Sequence, residues 1–408
     1  MATLARKMKG IEDQVVDFLL KHYLIIFAVI ATVLALFVRY QLRGYISSDY
    51  TNFLEGWYYE LKSNGGLKAL AHYPGDYNAP YMTIMALLTY LPLSPLIAIK
   101  AMSVVFDFIL AIAAAYFVYT LTGLKKQERN NRWFLAIITY IVVLFLPQVL
   151  ANGAYWGQCD SIYASFCILA LAFLFRQKYT TSFIFLGLAF AFKLQFMFIL
   201  PIFIIIYLKQ RKFSIIHFLI IPLVDYVLCI PALLAGKPLM ECVMVYLNQT
   251  QTYTKAMSMN YINFWSIFSA DPNFWYGAGA ILTLIVCAVA IAWIIHSKIE
   301  LTNEKLLELA LWFMVVMMFM LPGMHERYMF VGEILSVVYF IVYRKHGLLM
   351  LMLNAYALIM YSGELVHITG YEFNVLAPDV NFFNYHLLAL VELGILGKFT
   401  KDVYEIHD

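Results

Sequence analysis

The sequence predicts an all-α polytopic membrane protein of about twelve transmembrane helices, and three observations carry that expectation. Of 408 residues, 63% are hydrophobic and only 13% charged, with a mean hydropathy of +0.76, far from the balance of a soluble domain. Apolar runs of about 20 residues recur along the whole chain, each long enough to cross a hydrocarbon core of roughly 30 Å as a helix. Lys and Arg gather between those runs, as the positive-inside rule requires of cytoplasmic loops. No room is left for a separate soluble domain, so residues 1–408 read as one unit.

The first crossing is Tyr23 to Leu42. No small-residue cleavage site follows its apolar start, so it reads as a retained span rather than a signal peptide. A long external loop, Arg43 to Pro95, comes next. In it Tyr50, Phe53, Leu54, Trp57, Tyr58 and Leu61 fall at helical spacing on one face, with Thr51, Asn52, Glu55 and Glu60 opposite and Gly65 and Gly66 closing the pattern. That is the pattern of a helix lying on the membrane surface. Tyr81 to Leu93 is apolar but short and rich in proline (Pro80, Pro92, Pro95), so it does not cross.

Further crossings are Leu96 to Thr122, Trp133 to Leu150 and Ile162 to Phe175. Ser182 to Leu208 is long for one helix and short for two, which predicts a broken hairpin turning near Lys193 and Gln195. Interrupted backbone at that depth is tolerated only inside protein or beside a watery cavity, so Lys193 is expected to face such a cavity. Ile215 to Ala235 crosses again, and a second external loop, Gly236 to Trp275, is rich in Tyr, Asn and Thr. Within it Asn248, Gln249 and Thr250 match a glycosylation acceptor, by itself a weak motif. Tyr276 to Ile295, Leu306 to Leu321, Tyr328 to Tyr343, Leu348 to Val366 and Phe382 to Phe399 complete the set. The rule is obeyed throughout if Arg6, Lys125, Arg129, Arg176, Lys209, Lys298, Arg344, Lys398 and their basic neighbours are all cytoplasmic.

This topology puts three acids on one non-cytoplasmic face: Asp49 in "SSDYTNF", Asp160 in "GAYWGQCDSIY" and Glu326 in "LPGMHERYMF". Charge near membrane depth is expensive and is usually retained for a substrate or ion pathway. Lys193, His325 and Arg327 add positive charge or donors on that side. A carboxylate facing a cationic cluster suits transfer of a sugar from a lipid phosphate, with a base for the attacking hydroxyl and a cradle for the departing phosphate.

Each residue also has a structural reading. Asp49 and Asp160 both stand where a helix N-cap is wanted, Glu326 and Arg327 can form an interhelical ion pair, and Lys193 can snorkel to the interface. Lys100 and Asp107 share a helix face, and Asp225, Glu308, Glu333, Glu364 and Glu392 can pair between helices. Intramembrane acids keep open a second class, a secondary transporter or lipid-linked sugar flippase. Against it stands the lack of two-halved symmetry of interrupted helices. Five cysteines lie scattered with no C-x-x-C spacing, reading as small hydrophobes and not as a metal or redox site. A net charge of +3 gives no sign of a nucleic-acid partner.

"NAPYMTIM", "GQCDSIYASF", "FAFKLQFMFILPIF" and "GMHERYMF", in this order and spacing, resemble the GT-C type membrane glycosyltransferases that use polyprenyl-phosphate sugars, above all the GPI-anchor mannosyltransferases and related bacterial membrane proteins. The similarity runs from about Tyr23 to Tyr343. It implies an inverting hexosyltransferase, mannose favoured, acting outside the cytoplasm of a bacterial plasma membrane (or in the endoplasmic reticulum of a eukaryote) on a glycan or glycolipid acceptor. The catalytic base would be Asp49, with Asp160, Lys193, Gln195, His325, Glu326 and Arg327 binding substrate. Gln158, beside Asp160, joins that set, and Trp57, Tyr155 and Trp156 would offer flat faces to the sugar. Several relatives carry two adjacent acids in the first loop, whereas Ser48 and Tyr50 flank Asp49. No metal and no cofactor is therefore expected.

Overall fold

The computed structural model describes residues 2–73, 75–252, 256–268, 270–365 and 385–405. Among them the chain is almost wholly helical. Helix α1 (Ala2–Leu42) is followed in the first loop by α2 (Glu55–Ser63) and α3 (Ala79–Leu88), then by α4 (Pro95–Leu124), α5 (Arg129–Phe145) and the single turn α6 (Pro147–Leu150). Next come α7 (Asp160–Phe175), α8 (Tyr179–Phe192), α9 (Leu200–Ile205), α10 (Ile220–Ala235) and α11 (Leu239–Thr252). The last five are α12 (Pro272–His296), α13 (Asn303–Met320), α14 (Phe330–Tyr343), α15 (Gly347–Leu365) and α16 (Tyr385–Tyr404). Two short strands, β1 (Ser258–Met259) and β2 (Met324–His325), pair in parallel.

Among the described residues four helices are long and apolar enough to cross a membrane: 9–42, 95–124, 215–235 and 272–296. A fifth is added if α5 and the segment 147–156, bent by 54°, form one broken span. Most other apolar helices run 10–17 residues. The chain is thus an all-α membrane protein with at least these long spans.

Helix α1 begins at Ala2 and not near Tyr23, because nothing between Ile11 and Leu42 interrupts a helix and Gly10 alone costs only about 1 kcal/mol. Its bundle face is the stripe Ala31, Ala35 and Arg39, all buried. Helix α3, at ten residues, spans only ~15 Å and is buried in the first loop. The second loop is more ordered than its composition suggests, since α11 fills its first half. Asn248 is exposed on that helix, while the side chain of Thr250 lies outside the described residues. Parts of the Leu348 to Val366 and Phe382 to Phe399 expectations, and the side chain of Glu364, also fall outside them.

Lys100 and Asp107 share a helix face but do not serve each other. Asp107 pairs with Arg39 Nε at 3.0 Å and accepts Ser161 Oγ at 2.6 Å, all three groups buried. Lys100 Nζ instead reaches the carbonyls of Leu42 (3.2 Å) and Tyr45 (2.7 Å), where α1 ends and leaves its last oxygens without helical donors. The same device recurs at the opposite end of the bundle. There Lys125 donates to the Val342 carbonyl, Lys209 to those of Ile294 and Ser297, and Lys305 to that of Val403. Glu308 is held by Lys305 and by His346 Nε2 at 2.7 Å. Asp225 accepts from Asn78, Glu392 from Tyr261, and Glu333 is fully buried near Gln148.

A Cβ added at Gly153 would stand 2.6 and 2.7 Å from the Asp107 carboxylate oxygens. Arg39 and Ser161 hold that carboxylate, so it cannot swing aside. Gly153→Ala is expected to destabilise the protein by about 1–3 kcal/mol, measured as a lowered unfolding midpoint in detergent. Gly277→Ala, inside α12 with nothing within 4 Å of its new methyl, serves as the control that should not lower the midpoint and gains up to about 1 kcal/mol of helix propensity.

Candidate active site

Three loops supply the site. In the first, the chain turns helical again at Ser48, and Ser47 is the true cap: its Oγ accepts the Tyr50 amide at 3.2 Å, while its carbonyl accepts that of Thr51 at 3.1 Å. Asp49 lies one residue inside the helix with φ −65° and ψ −34° and makes no capping bond. The capping reading of Asp49 is thereby corrected, because Ser47 already satisfies the helix start. Asp49's carboxylate is free to turn inward. Ser47 Oγ also donates to the Trp156 carbonyl at 2.8 Å, tying this loop to the second. Below it Tyr50, Leu54, Tyr58 and Leu61 are buried, whereas Phe53, expected on the same face, is 47% exposed.

The second loop is a wide, π-helical turn, Ala151–Trp156, closed by Gly157 at φ +82°. Asn152 there brackets Asp160: its Nδ2 donates to Asp160 Oδ2 at 2.7 Å, and its Oδ1 accepts the Asp160 amide at 3.3 Å. Asp160 opens α7, but its carboxylate caps nothing. It points into the protein and holds Lys193 Nζ at 2.6 Å, with the Asp160 side chain fully buried and that of Lys193 9% exposed.

Lys193 stands at a break between α8 and the 3-10 turn Leu194–Ile199, in extended backbone with φ −150° and ψ 141°. Side chains from the loops satisfy the carbonyls this break leaves behind: Asn78 Nδ2 donates to Ala191 at 3.0 Å, and Tyr246 donates to Phe190. Lys193 therefore faces inward and does not snorkel. Gln195 is half-buried and makes no hydrogen bond to this cluster among the described residues.

The third loop carries His325, Glu326 and Arg327. Pairing of β1 with β2 holds it, as do the Gly323 amide on the Met257 carbonyl (3.0 Å) and the Trp265 indole on the Met320 carbonyl (2.8 Å). Gly323, at φ +70° with the Tyr276 hydroxyl 2.7 Å from where a Cβ would stand, admits no side chain. Arg327 then meets all three acids: Nη1 is 3.3 Å from Asp49 Oδ2 and 3.6 Å from Glu326 Oε1, and Nε is 3.9 Å from Asp160 Oδ2. Its guanidinium lies 5.4 Å over the Trp156 ring. Gln158 Nε2 donates to Asp49 Oδ2, and Tyr77 donates to Gln158 Oε1 at 3.4 Å.

Burial by itself pushes the Glu326 carboxyl up, but the His325 ring, 3.5 Å away, and the Arg327 charge outweigh it and hold the group below its usual range. Glu326 thus stays ionised at neutral pH. Its grip on Arg327 is complete above the ordinary carboxyl range and is lost only as pH falls through the depressed value. Burial works against the Arg327 cation, yet the carboxylates of Glu326, Asp160 and Asp49 together hold it firmly protonated. Burial keeps the Tyr77 phenol protonated and able to donate.

Of the residues expected from the sequence, Asp49, Gln158, Asp160, Lys193, Glu326, Arg327 and Trp156 meet in one cluster, with His325 at its edge. Trp57 is one step removed, its ring 5.6 Å from that of Tyr77. Tyr155 turns away and stacks on Tyr45 at 3.6 Å. Ser47, Tyr77, Asn152 and Tyr361, whose hydroxyl accepts from Asn152 at 3.1 Å, belong to the site and escaped sequence reading. Only the short spacing of Asn152 from Asp160 could have signalled one of them. Asp49 and Arg327, with side chains 24% and 14% exposed, form the outer rim, while Asp160 and Glu326 form the buried floor. Among the described residues no cluster of His, Cys, Asp and Glu could hold a metal ion. Compared with known proteins, the chain matches no family model and no curated sequence.

Proposed function

We propose that this protein is a membrane glycosyltransferase that moves a hexose from a polyprenyl-phosphate donor to a glycan or glycolipid acceptor with inversion. What supports this reading is one observation: acids from three loops, Asp49, Asp160 and Glu326, converge on the single guanidinium of Arg327 at a partly open rim. Charged groups gathered near membrane depth are expensive and are usually retained for a substrate or ion pathway. The GT-C resemblance of the quoted motifs adds to this. In this reading the shorter apolar helices complete about twelve crossings, Lys125, Lys209 and Lys305 mark the cytoplasmic end, and the cluster faces the other side.

The chemistry is a direct displacement. Asp49 takes the proton of the acceptor hydroxyl as its oxygen bonds to the anomeric carbon, and the bond from that carbon to the phosphate oxygen breaks on the opposite face. The leaving polyprenyl phosphate gains a negative charge, which Arg327 meets by exchanging its outer contact with Asp49 for phosphate oxygens. This exchange removes a cation from Asp49 as the base is needed. Lys193 is committed to Asp160, so it acts through that carboxylate by holding Arg327's inner edge in place. Trp156 backs the guanidinium, and Gln158 orients Asp49.

Arg327→Gln is expected to weaken donor binding by about 10–100-fold, and Arg327→Lys to recover only part of it, because an ammonium lacks the planar fork. Binding of labelled polyprenyl-phosphate mannose to purified protein measures this. The activity itself is tested by incubating the protein with radiolabelled polyprenyl-phosphate hexoses and membranes and following which donor loses its sugar. Solute uptake into vesicles without transfer would favour the transporter reading instead.

A further inference from the structure

Residues of α1 and α4, with Ala154 of the turn 151–156, line a groove of about 520 Å³. Val33, Phe37, Ala101 and Val104 are among its apolar walls, and three cations, Arg39, Arg43 and Lys100, line it as well. Asp107 neutralises Arg39. Lys100 is 3% exposed and has no carboxylate within 4 Å among the described residues; it spends two of its three N–H donors on the Leu42 and Tyr45 carbonyls. Arg43 is half-buried, its guanidinium 3.5 Å over the Tyr40 ring. Among the described residues the groove therefore carries two positive charges, Lys100 and Arg43, with no carboxylate within 4 Å, beside an apolar channel. Burying charge in this way is costly unless an anion completes it.

We propose that this groove binds an anionic phospholipid of the membrane, with its phosphate on Lys100 and Arg43 and an acyl chain along Val33, Phe37 and Val104. The volume lies within the roughly 300–1,000 Å³ of ligand sites, enough for the phosphate and the start of one chain. The site is separate from the Arg327 cluster, because the turn 151–156 divides them: Ala154 faces the groove, Trp156 faces Arg327, and the Tyr45–Tyr155 stack stands between. Binding here does not depend on the reaction proposed above. It would steady the segment from Arg43 to Ser47, and so the position of Asp49, making activity depend on anionic lipid.

The test is native mass spectrometry of the full chain released from neutral detergent with added phosphatidylglycerol or phosphatidylcholine. Phosphatidylglycerol should be retained in clear preference. Arg43→Gln, a change at a half-exposed position, should cut that preference about fivefold. Ala101→Trp, which fills the groove, should abolish retention of both lipids. Equal retention of the two lipids, or a preference unchanged in Arg43→Gln, would overturn the proposal even if the tryptophan variant does not fold. Displacement of bound phosphatidylglycerol by equimolar polyprenyl phosphate would overturn it too, assigning the groove to the donor.

Discussion

Asp49→Asn is expected to lower sugar transfer by about 10²–10⁴-fold and leave the fold intact. The substitution keeps an oxygen for Gln158 Nε2 and the size of the side chain, but it removes the lone pair that accepts the acceptor's proton. Asp49 is 24% exposed and lies at the rim, so removing the charge from its 3.3 Å contact with Arg327 costs ~1 kcal/mol or less in stability. The two quantities should separate cleanly: an unchanged unfolding midpoint with transfer nearly abolished, and donor binding preserved or tightened because Arg327 has lost a competitor. Near-normal turnover in this variant would remove the base assignment.

The opposite pattern is expected one layer deeper. Lys193→Met leaves the fully buried Asp160 carboxylate with Asn152 and a guanidinium 3.9 Å away, and should destabilise the protein by about 3–5 kcal/mol. Adding Asp160→Asn removes the stranded charge and should return much of that stability, whereas transfer stays low because Arg327 has lost its inner anchor. A thermodynamic cycle over the two singles and the double, read from denaturant unfolding in mixed micelles, gives the coupling between them. If the double variant is no more stable than Lys193→Met, the pair is not the buried unit described here.

Much of the site was legible because charge in an oily chain is sparse. With only 13% of residues charged, each acid or base beside an apolar run stands out, and a topology drawn from the basic loops already brings Asp49, Asp160 and Glu326 to one face. The break at Lys193 was legible from the length of the apolar run Ser182 to Leu208 and from the basic residues on both its flanks. Neutral polar residues carry no such signal: Asn152, Tyr77 and Ser47 look like any other loop residues, and their roles appear only once the chain folds back on itself. Partner choice was equally hidden. Helical spacing put Lys100 and Asp107 on one face, but Arg39 from α1 arrived closer to Asp107, and the carbonyls at the end of α1 claimed Lys100.

The amino-acid sequence alone determined that this chain is helical, that it lives in a membrane, and which few charged residues are too costly to be ornamental, because hydropathy and helix length act locally and read straight along the chain. Tertiary structure alone decided who pairs with whom. Ser47 took over the capping that Asp49 was positioned for, Asp160 claimed Lys193, and Arg327 was left as the cation at the open rim. The ion pairs are settled by distances of a few ångströms between segments 33 residues apart for Asp160 and Lys193 and 278 apart for Asp49 and Arg327, and no spacing within a segment encodes them.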